Sequence, residues 1–414
     1  LNNMTMKFRT IACVAMAVLS VHCLVFTGNA EAQGWPQLRG SLRNGAAPDG
    51  GQPLEWPEGG ATVSWVREIG SGFSELLVDG NRLYTLFAEK VDSLTGWEYV
   101  ASFDALTGEE LWRTRLDSVF IDVDGWGDGP RSTPAMDEDH LYCFTGFGKL
   151  AKVSRADGTL VWTVDFMERF NSKLPRWGFS SSPLLSGGLV LMEAGGDQGR
   201  AFVGIGKDKG ELVWSAGTGE AMYSSPILVV LDETPQVVFV NGRNMVSYTP
   251  QGDSLWAHTM PIGNPMASPL LVPPSRLFAS ANNGAGSFLI EPGNPSPAEL
   301  FTSSAMKNDW SSSVYRDGFI YGFNLASLQC ISATDGTRVW GRRGFGKGSL
   351  ILVGDKLLVL SDNGVLSMVE ASPEGFRELG SVHPIEGRSW TAPSYSDGRV
   401  YVRNHTHMAC IELK

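Results

Sequence analysis

One unit recurs along this chain and limits its possible folds more than any other feature. At 103–112 it reads FDALTGEELW, a turn rich in Asp, Thr and Gly with a tryptophan four residues after the glycine. The same ending returns as DGTLVW, KGELVW, QGDSLW and DGTRVW, placing Trp162, Trp214, Trp256 and Trp340. Two degenerate copies, SPAELF and EGFRELG, put Phe301 and Leu379 in the tryptophan place. Spacings of about 40 to 50 residues mark repeated supersecondary units that must stack on one another to bury their apolar faces.

Each unit shares an inner order. A patch of small hydroxyl residues, often ending in proline (RSTP, SSSP, YSSP), precedes an apolar strand. A turn such as VDGNR leads to a second strand, a third follows, and the Asp/Gly turn leads to the tryptophan strand. Glycine supplies the positive φ a tight hairpin needs, and Asp or Thr satisfies the local amides. The indole offers a flat face to wedge between neighbours and one N–H to satisfy. Four strands per unit joined by tight turns describe a propeller blade.

Opening patches at Ser74, Ser132, Ser181, Ser224, Ala267, Ser311, Ser349 and Thr391 give eight units. The eighth ends after three strands, whereas an orphan strand at 61–70 carries Trp65 before the first unit. The expected fold is therefore all-β, an eight-bladed β-propeller of four-stranded blades over 61–414, its last blade closed by the N-terminal strand. Closure in this way removes an open sheet edge.

Composition agrees. Of 414 residues, 43% are hydrophobic and 19% charged, with 49 glycines and 13 tryptophans, which suits many short strands and excludes a disordered chain. The net charge of −11 and the lack of a basic stripe exclude nucleic acid as a partner. Residues 1–32 read as a signal peptide: Lys7 and Arg9, an apolar run over 11–26, then Ala30-Glu31-Ala32, with cleavage before Gln33. Periplasmic or secreted localisation follows. Ser20 and His22 interrupt the run and disfavour a membrane anchor, and His22 is a poor neighbour for a lipidated Cys23. Beyond it, Cys143, Cys330 and Cys410 are too scattered for a disulfide framework or a zinc site and sit in apolar runs as buried thiols.

With these motifs the sequence resembles the PQQ-like β-propeller repeat family, in which an Ala-x-Asp-x-x-Thr-Gly-x-x-x-Trp motif docks tryptophans around an eight-bladed ring. Here SFDALTGEELW matches with Ser102 in the alanine place, and Cys330 holds that place in its own repeat. Trp65, Trp112, Trp162, Trp214, Trp256 and Trp340 are the implied docking tryptophans. The arm at 33–60 carries WPQLRGSLRNG, which is similar to the opening of secreted PQQ-like propellers of planctomycete-type bacteria and is expected to pack on the ring. Two branches diverge in function. Quinoprotein alcohol dehydrogenases hold PQQ with a vicinal disulfide and calcium; here no two cysteines are adjacent and no calcium ligands can be assigned. The branch resembling outer-membrane assembly lipoproteins has about this length and no cofactor. The resemblance implies a non-catalytic envelope scaffold for a protein or glycan, without cofactor; the alternative is an oxidoreductase binding PQQ with calcium.

One position before the hydroxyl patch stand Phe73, Arg131, Tyr223, Trp310 and Trp390. The first strand of each blade lines the central channel, so these five are the candidate ligand- or partner-binding residues at its rim, with the hydroxyls beside them and Lys347 and Arg388 nearby. Asp122, Asp124 and Asp128 share one glycine-rich loop and read as a solvated acidic loop, lacking the bidentate acid of a calcium hand. His405 and His407 would share a face of a strand, but no third metal ligand accompanies them. No nucleophile elbow, zincin motif or phosphate loop occurs.

Overall fold

The apolar runs form strands because each is sandwiched. In the third blade, Leu189–Gly196 and Arg200–Gly206 are almost wholly buried, whereas the outer strand Leu212–Ala216 alternates between covered and exposed side chains. Middle strands covered on both faces read as continuous hydrophobic runs; an outer strand with one wet face reads as alternation. A computed structural model describes residues 34–47, 54–293 and 296–413, all within one compact unit. The signal-peptide reading of residues 1–32 lies outside the described residues.

Eight antiparallel meanders surround a central channel. Blades 1 to 7 occupy 77–118, 135–165, 184–216, 227–259, 270–303, 314–343 and 349–382, each four strands in chain order. Blade 8 combines Ser394–Ser396, Arg399–Arg403 and His407–Glu412 with the N-terminal strand Thr62–Glu68, whose Trp65 pairs with Cys410. The one helix among the described residues, Phe166–Phe170, buries both phenylalanines between blades 2 and 3.

The repeating motif is two halves of one joint. Trp112 of blade 1 lies on Gly158 in the turn of blade 2 and donates its indole N–H to Arg155 O at 3.3 Å. A Cβ on Gly158 would stand 2.6 Å from the Trp112 ring, and its φ of 77° is itself a glycine conformation. Trp65, Trp162, Trp214 and Trp340 likewise donate to Ala105, Lys207, Pro250 and Ser372 carbonyls of the following blade. Trp256 differs: it packs with the core of blade 5 but donates to Gln236 Oε1 of its own blade at 2.9 Å.

Blade 7 corrects one expectation. A bulge precedes the tryptophan in each outer strand, and in blade 7 Leu379 is the bulged residue; Gly380, opposite Met368, occupies the tryptophan register. The indole of Trp56, from the N-terminal arm, lies over Gly380, so the arm covers the place where this outer strand has no ring.

The rest of the arm enters the channel. Trp35 bridges Val78 of blade 1, Pro36 accepts from Met136 N of blade 2, and Ala46–Ala47 adds a parallel strand to blade 7. Arg39 donates to Ser313 O of blade 6 at 2.6 Å, and Arg43 to Pro183 O and Ser182 O of blade 3 at 2.5 and 3.1 Å. The arm thus plugs one end of the channel, the end bearing the Asp/Gly turns.

Blade 8 closes on blade 1 through Arg403, whose side chain is fully buried. Its guanidinium donates to Leu86 O at 2.7 Å, Thr85 Oγ1 at 3.1 Å and Gly70 O at 3.1 Å. Cys143, Cys330 and Cys410 are buried free thiols, and burial raises all three, Cys330 to about 12 and Cys410 to about 11.

Candidate functional site

With one end plugged, the channel becomes a bowl. Its cavity of about 340 Å³ is lined by all five candidate rim residues, Phe73, Arg131, Tyr223, Trp310 and Trp390, each delivered by the segment entering a different blade. The aromatic side chains form two walls. On one, Trp390 lies 4.2 Å from Trp310, 6.0 Å from Trp126 and 6.1 Å from Phe73, centroid to centroid. Across the ring, Trp177 lies 5.1 Å from Tyr223. Parallel first strands converging on the axis bring these residues together, although blades separate them in sequence.

Four of the seven hydroxyls of the expected ring move relative to the sequence expectation. Successive side chains on a strand face opposite ways, so residues next to the rim positions turn into the seams between blades. Ser74, Ser132, Ser181 and Ser224 are at most 2% exposed there, and Ser224 Oγ donates to Ala267 O at 3.0 Å. Ser311, Ser349 and Thr391 of the expected ring do line the cavity, and hydroxyls one position further on, Thr133, Ser182, Ser225, Ser268 and Ser312, join them. Blade 1 puts Glu75 at that level. Aligning the patches one position further on shows this lone acid in GFSELL, the signal that would have found it.

Glu75 sits at the floor. Trp35 Nε1 and Arg39 N donate to its Oε2 at 2.9 and 2.8 Å. Burial pushes its carboxyl up to about 7, opposed by those two hydrogen bonds and by the Arg39 and Arg43 charges. Burial also lowers Arg39 to about 10 and Arg43 to about 9, with Glu75 acting against it.

The acidic loop forms part of the mouth. Asp122 accepts from Gly127 N and Trp126 N, and Asp128 accepts from Asp122 N at 2.9 Å and pairs with Lys90 at 2.9 Å. Asp124 is clamped by Arg176 at 2.7 Å and by Trp177 Nε1 at 2.7 Å. The three carboxylates therefore staple the loop, which carries Trp126 to the cavity. Among the described residues no three carboxylate, imidazole or thiol groups are placed to share a metal ion. His405 and His407 do not share a strand face: His407 begins the last strand, and His405 lies in the preceding turn, edge-on to Phe73 at 4.4 Å. Burial, then the charges of Arg403, Arg388 and Arg131, hold His405 down at about 4.

Arg131 is engaged by the same loop. It donates to Gly129 O at 3.1 Å and Gly127 O at 2.9 Å, stands 3.5 Å from Asp122, and lies over the Phe73 ring. Lys347 pairs with Asp309 at 2.7 Å and lies 4.6 Å from the Trp310 ring centroid. Arg388 lies 4.6 Å over Trp390 and donates to Gly125 O and Trp126 O at 3.0 Å. Trp126, Trp177 and the floor residues Leu38 and Arg39 were not among the sequence candidates, because long loops and the arm bring them in from outside the repeat; Asp309, directly before Trp310, was passed over within it.

Aromatic planes and nearby cations would suit a flat quinone, but the described residues do not fit a calcium–quinone set: the cysteines lie in the blade cores, and Asp309 is held by Lys347 and Asn282.

The family profile of outer membrane protein assembly factor BamB matches residues 96–342. No curated protein sequence matches the chain. Among solved structures, BamB from Moraxella catarrhalis superposes with a TM-score of 0.59 at 14% identity, covering 85% of this chain and 99% of that one. The quinohemoprotein alcohol dehydrogenase from Comamonas testosteroni gives 0.63 at 13% identity, covering 93% and 81%. The computationally designed Ika8 protein gives 0.60 at 11% identity, covering 87% and 100%. Such identities carry the fold alone, and one fold serves an assembly factor, an oxidoreductase and a designed protein. The matched repeats and the eight-bladed ring together place this chain in the PQQ-like propeller family described by the BamB profile.

Proposed function

We propose that the protein is a non-catalytic envelope or secreted scaffold that binds a glycan in the bowl of its channel, without a cofactor. The observation that carries this reading is the convergence of Phe73, Tyr223, Trp310 and Trp390 on one cavity whose far end is plugged by the protein's own arm. A cavity of about 340 Å³ is at the small end of the usual ~300–1,000 Å³ range for ligand sites. It admits a sugar unit or a single side chain, and not a folded partner. Aromatic faces stack on the C–H faces of sugars, and hydroxyls below them meet sugar oxygens.

The test is capture from an envelope fraction by wild type and by the Trp310→Ala/Trp390→Ala variant. Wild type should retain polysaccharide, and the variant should lose it while remaining folded. Retention of a protein partner equally by both forms would move the function to the outer blade surfaces. Stoichiometric uptake of PQQ with calcium, accompanied by dye-linked alcohol or sugar oxidation, would replace the scaffold reading with an oxidoreductase.

A further inference from the structure

The hydrogen-bonding groups at the channel waist are unevenly assigned. Thr133 Oγ1 accepts from Glu75 N, Ser182 Oγ from Thr133 N, Ser225 Oγ from Ser182 N and Ser312 Oγ from Ser268 N, each at 2.9 Å. Among the described residues none of these four oxygens donates to another group. Their side chains are buried, none above 8% exposed, and all four face the cavity. Each hydroxyl is thus held by a neighbouring blade through its lone pair, with its proton left for the channel. The indole N–H of Trp310, on the wall above, is likewise buried without a partner among the described residues. Buried donors require acceptors.

At the rim the charges point the same way. Arg388, exposed beside Trp390 just outside the cavity lining, donates to loop carbonyls and lies over the Trp390 face, and among the described residues no carboxylate stands within ion-pair distance of it. Lys347, which lines the cavity, lies 5.8 Å from the Trp126 ring centroid and is paired with Asp309. The bowl therefore presents O–H and N–H donors around its ring, under aromatic walls, with the Glu75 carboxylate at its floor and a cation at the lip of an acidic protein. A pyranose places oxygen acceptors around its whole perimeter, which matches donors contributed by four blades. A carboxylate on that pyranose matches the lip.

We propose that the ligand is a hexuronate unit of an acidic polysaccharide, seated with its ring against Trp310 and Trp390, its hydroxyls on Thr133, Ser182, Ser225 and Ser312, and its carboxylate toward Arg388. The inference rests on the glycan reading above and narrows it. At the floor, Glu75 meets a ligand hydroxyl, and Arg39 and Arg43 offset its charge.

Calorimetric titration tests this with trigalacturonate, its methyl ester and neutral galactotriose as probes, on wild type and Arg388→Gln. Wild type should bind trigalacturonate about tenfold tighter than the ester or the neutral trisaccharide, as expected for one charge-assisted contact. In Arg388→Gln that preference should fall below about threefold, and a preference kept at about tenfold would overturn the assignment of the carboxylate to Arg388. If wild type binds all three sugars alike, the uronate inference is overturned and the glycan reading stands. If no probe binds or alters tryptophan emission, the uronate inference is overturned, and the glycan reading is then decided by polysaccharide capture with and without Trp310 and Trp390.

Discussion

Replacing Glu193 with glutamine should make the protein more stable at alkaline pH and leave it little changed in acid. Glu193 lies on the second strand of blade 3, 1% exposed, and accepts from Asn241 Nδ2 of blade 4 at 2.5 Å. Burial raises its carboxyl from 4.5 to about 8, opposed by the bond from Asn241. Between those two values the folded protein holds a proton that the unfolded chain has released. Stability from this group is therefore complete below about pH 4.5 and declines as pH rises towards 8. At about 1.4 kcal/mol per pKa unit, the decline amounts to roughly 3–5 kcal/mol, an upper figure because the unfolded chain and local relaxation reduce it. Glutamine keeps the shape and cannot ionise. Thermal midpoints at pH 5 and pH 8.5 for wild type and Glu193→Gln give the answer. At about 1–2 °C per kcal/mol for a domain of this size, the variant should gain about 3–10 °C over wild type at pH 8.5 and change by less than about 2 °C at pH 5. Equal pH dependence in the two proteins would refute the reasoning and mean that the inter-blade carboxyl is hydrated or paired.

The tryptophan–glycine joint predicts that Gly158→Val destabilises by about 2–4 kcal/mol, since the new side chain meets the Trp112 ring; a Val-tolerant midpoint in thermal unfolding would contradict it. Arg403→Met should cost about 1–3 kcal/mol by leaving Leu86 and Gly70 carbonyls short of a donor, and hydrogen exchange should rise first at the blade 8–blade 1 seam. Trp56→Ala should destabilise blade 7. Adding Gly380→Trp should recover part of the loss, because it restores a ring at the same register; no recovery would mean Trp56 acts elsewhere.

Much of the fold was legible because the repeat is written twice in most joints, once as the turn glycine and once as the tryptophan that lies on it. Trp65 before blade 1 and the missing fourth strand after His407–Glu412 specified the ring closure. The displacement of Leu379 by Gly380 was hidden, because a bulge shifts register by one residue without changing the apolar pattern. The same period of two explains the hydroxyls: Ser74 and Glu75 are adjacent in sequence yet face the seam and the channel. The five rim residues could be aligned by repeat. Trp126 and Trp177 could not, since each sits in a loop of its own length. The roles of Asp122, Asp124 and Asp128 depended on partners as distant as Lys90 and Arg176, and Arg131, open to a ligand by sequence, turned out to hold that loop as well. The arm's penetration into the channel left no periodic signal, because its anchors are backbone amides and carbonyls of five blades.

The most direct test of the binding bowl follows the indole N–H resonances of an isotopically labelled sample, assigned by single Trp→Phe substitutions, during titration with envelope polysaccharide. Trp310 begins without a partner, so its resonance should move downfield as it gains an acceptor, with Trp390 and Trp126 responding alongside it. Trp112, Trp162 and Trp214, bonded to the next blade, should stay in place. Binding at the outer blades with the Trp310 and Trp390 signals unmoved would contradict the claim that the channel mouth is where this propeller binds.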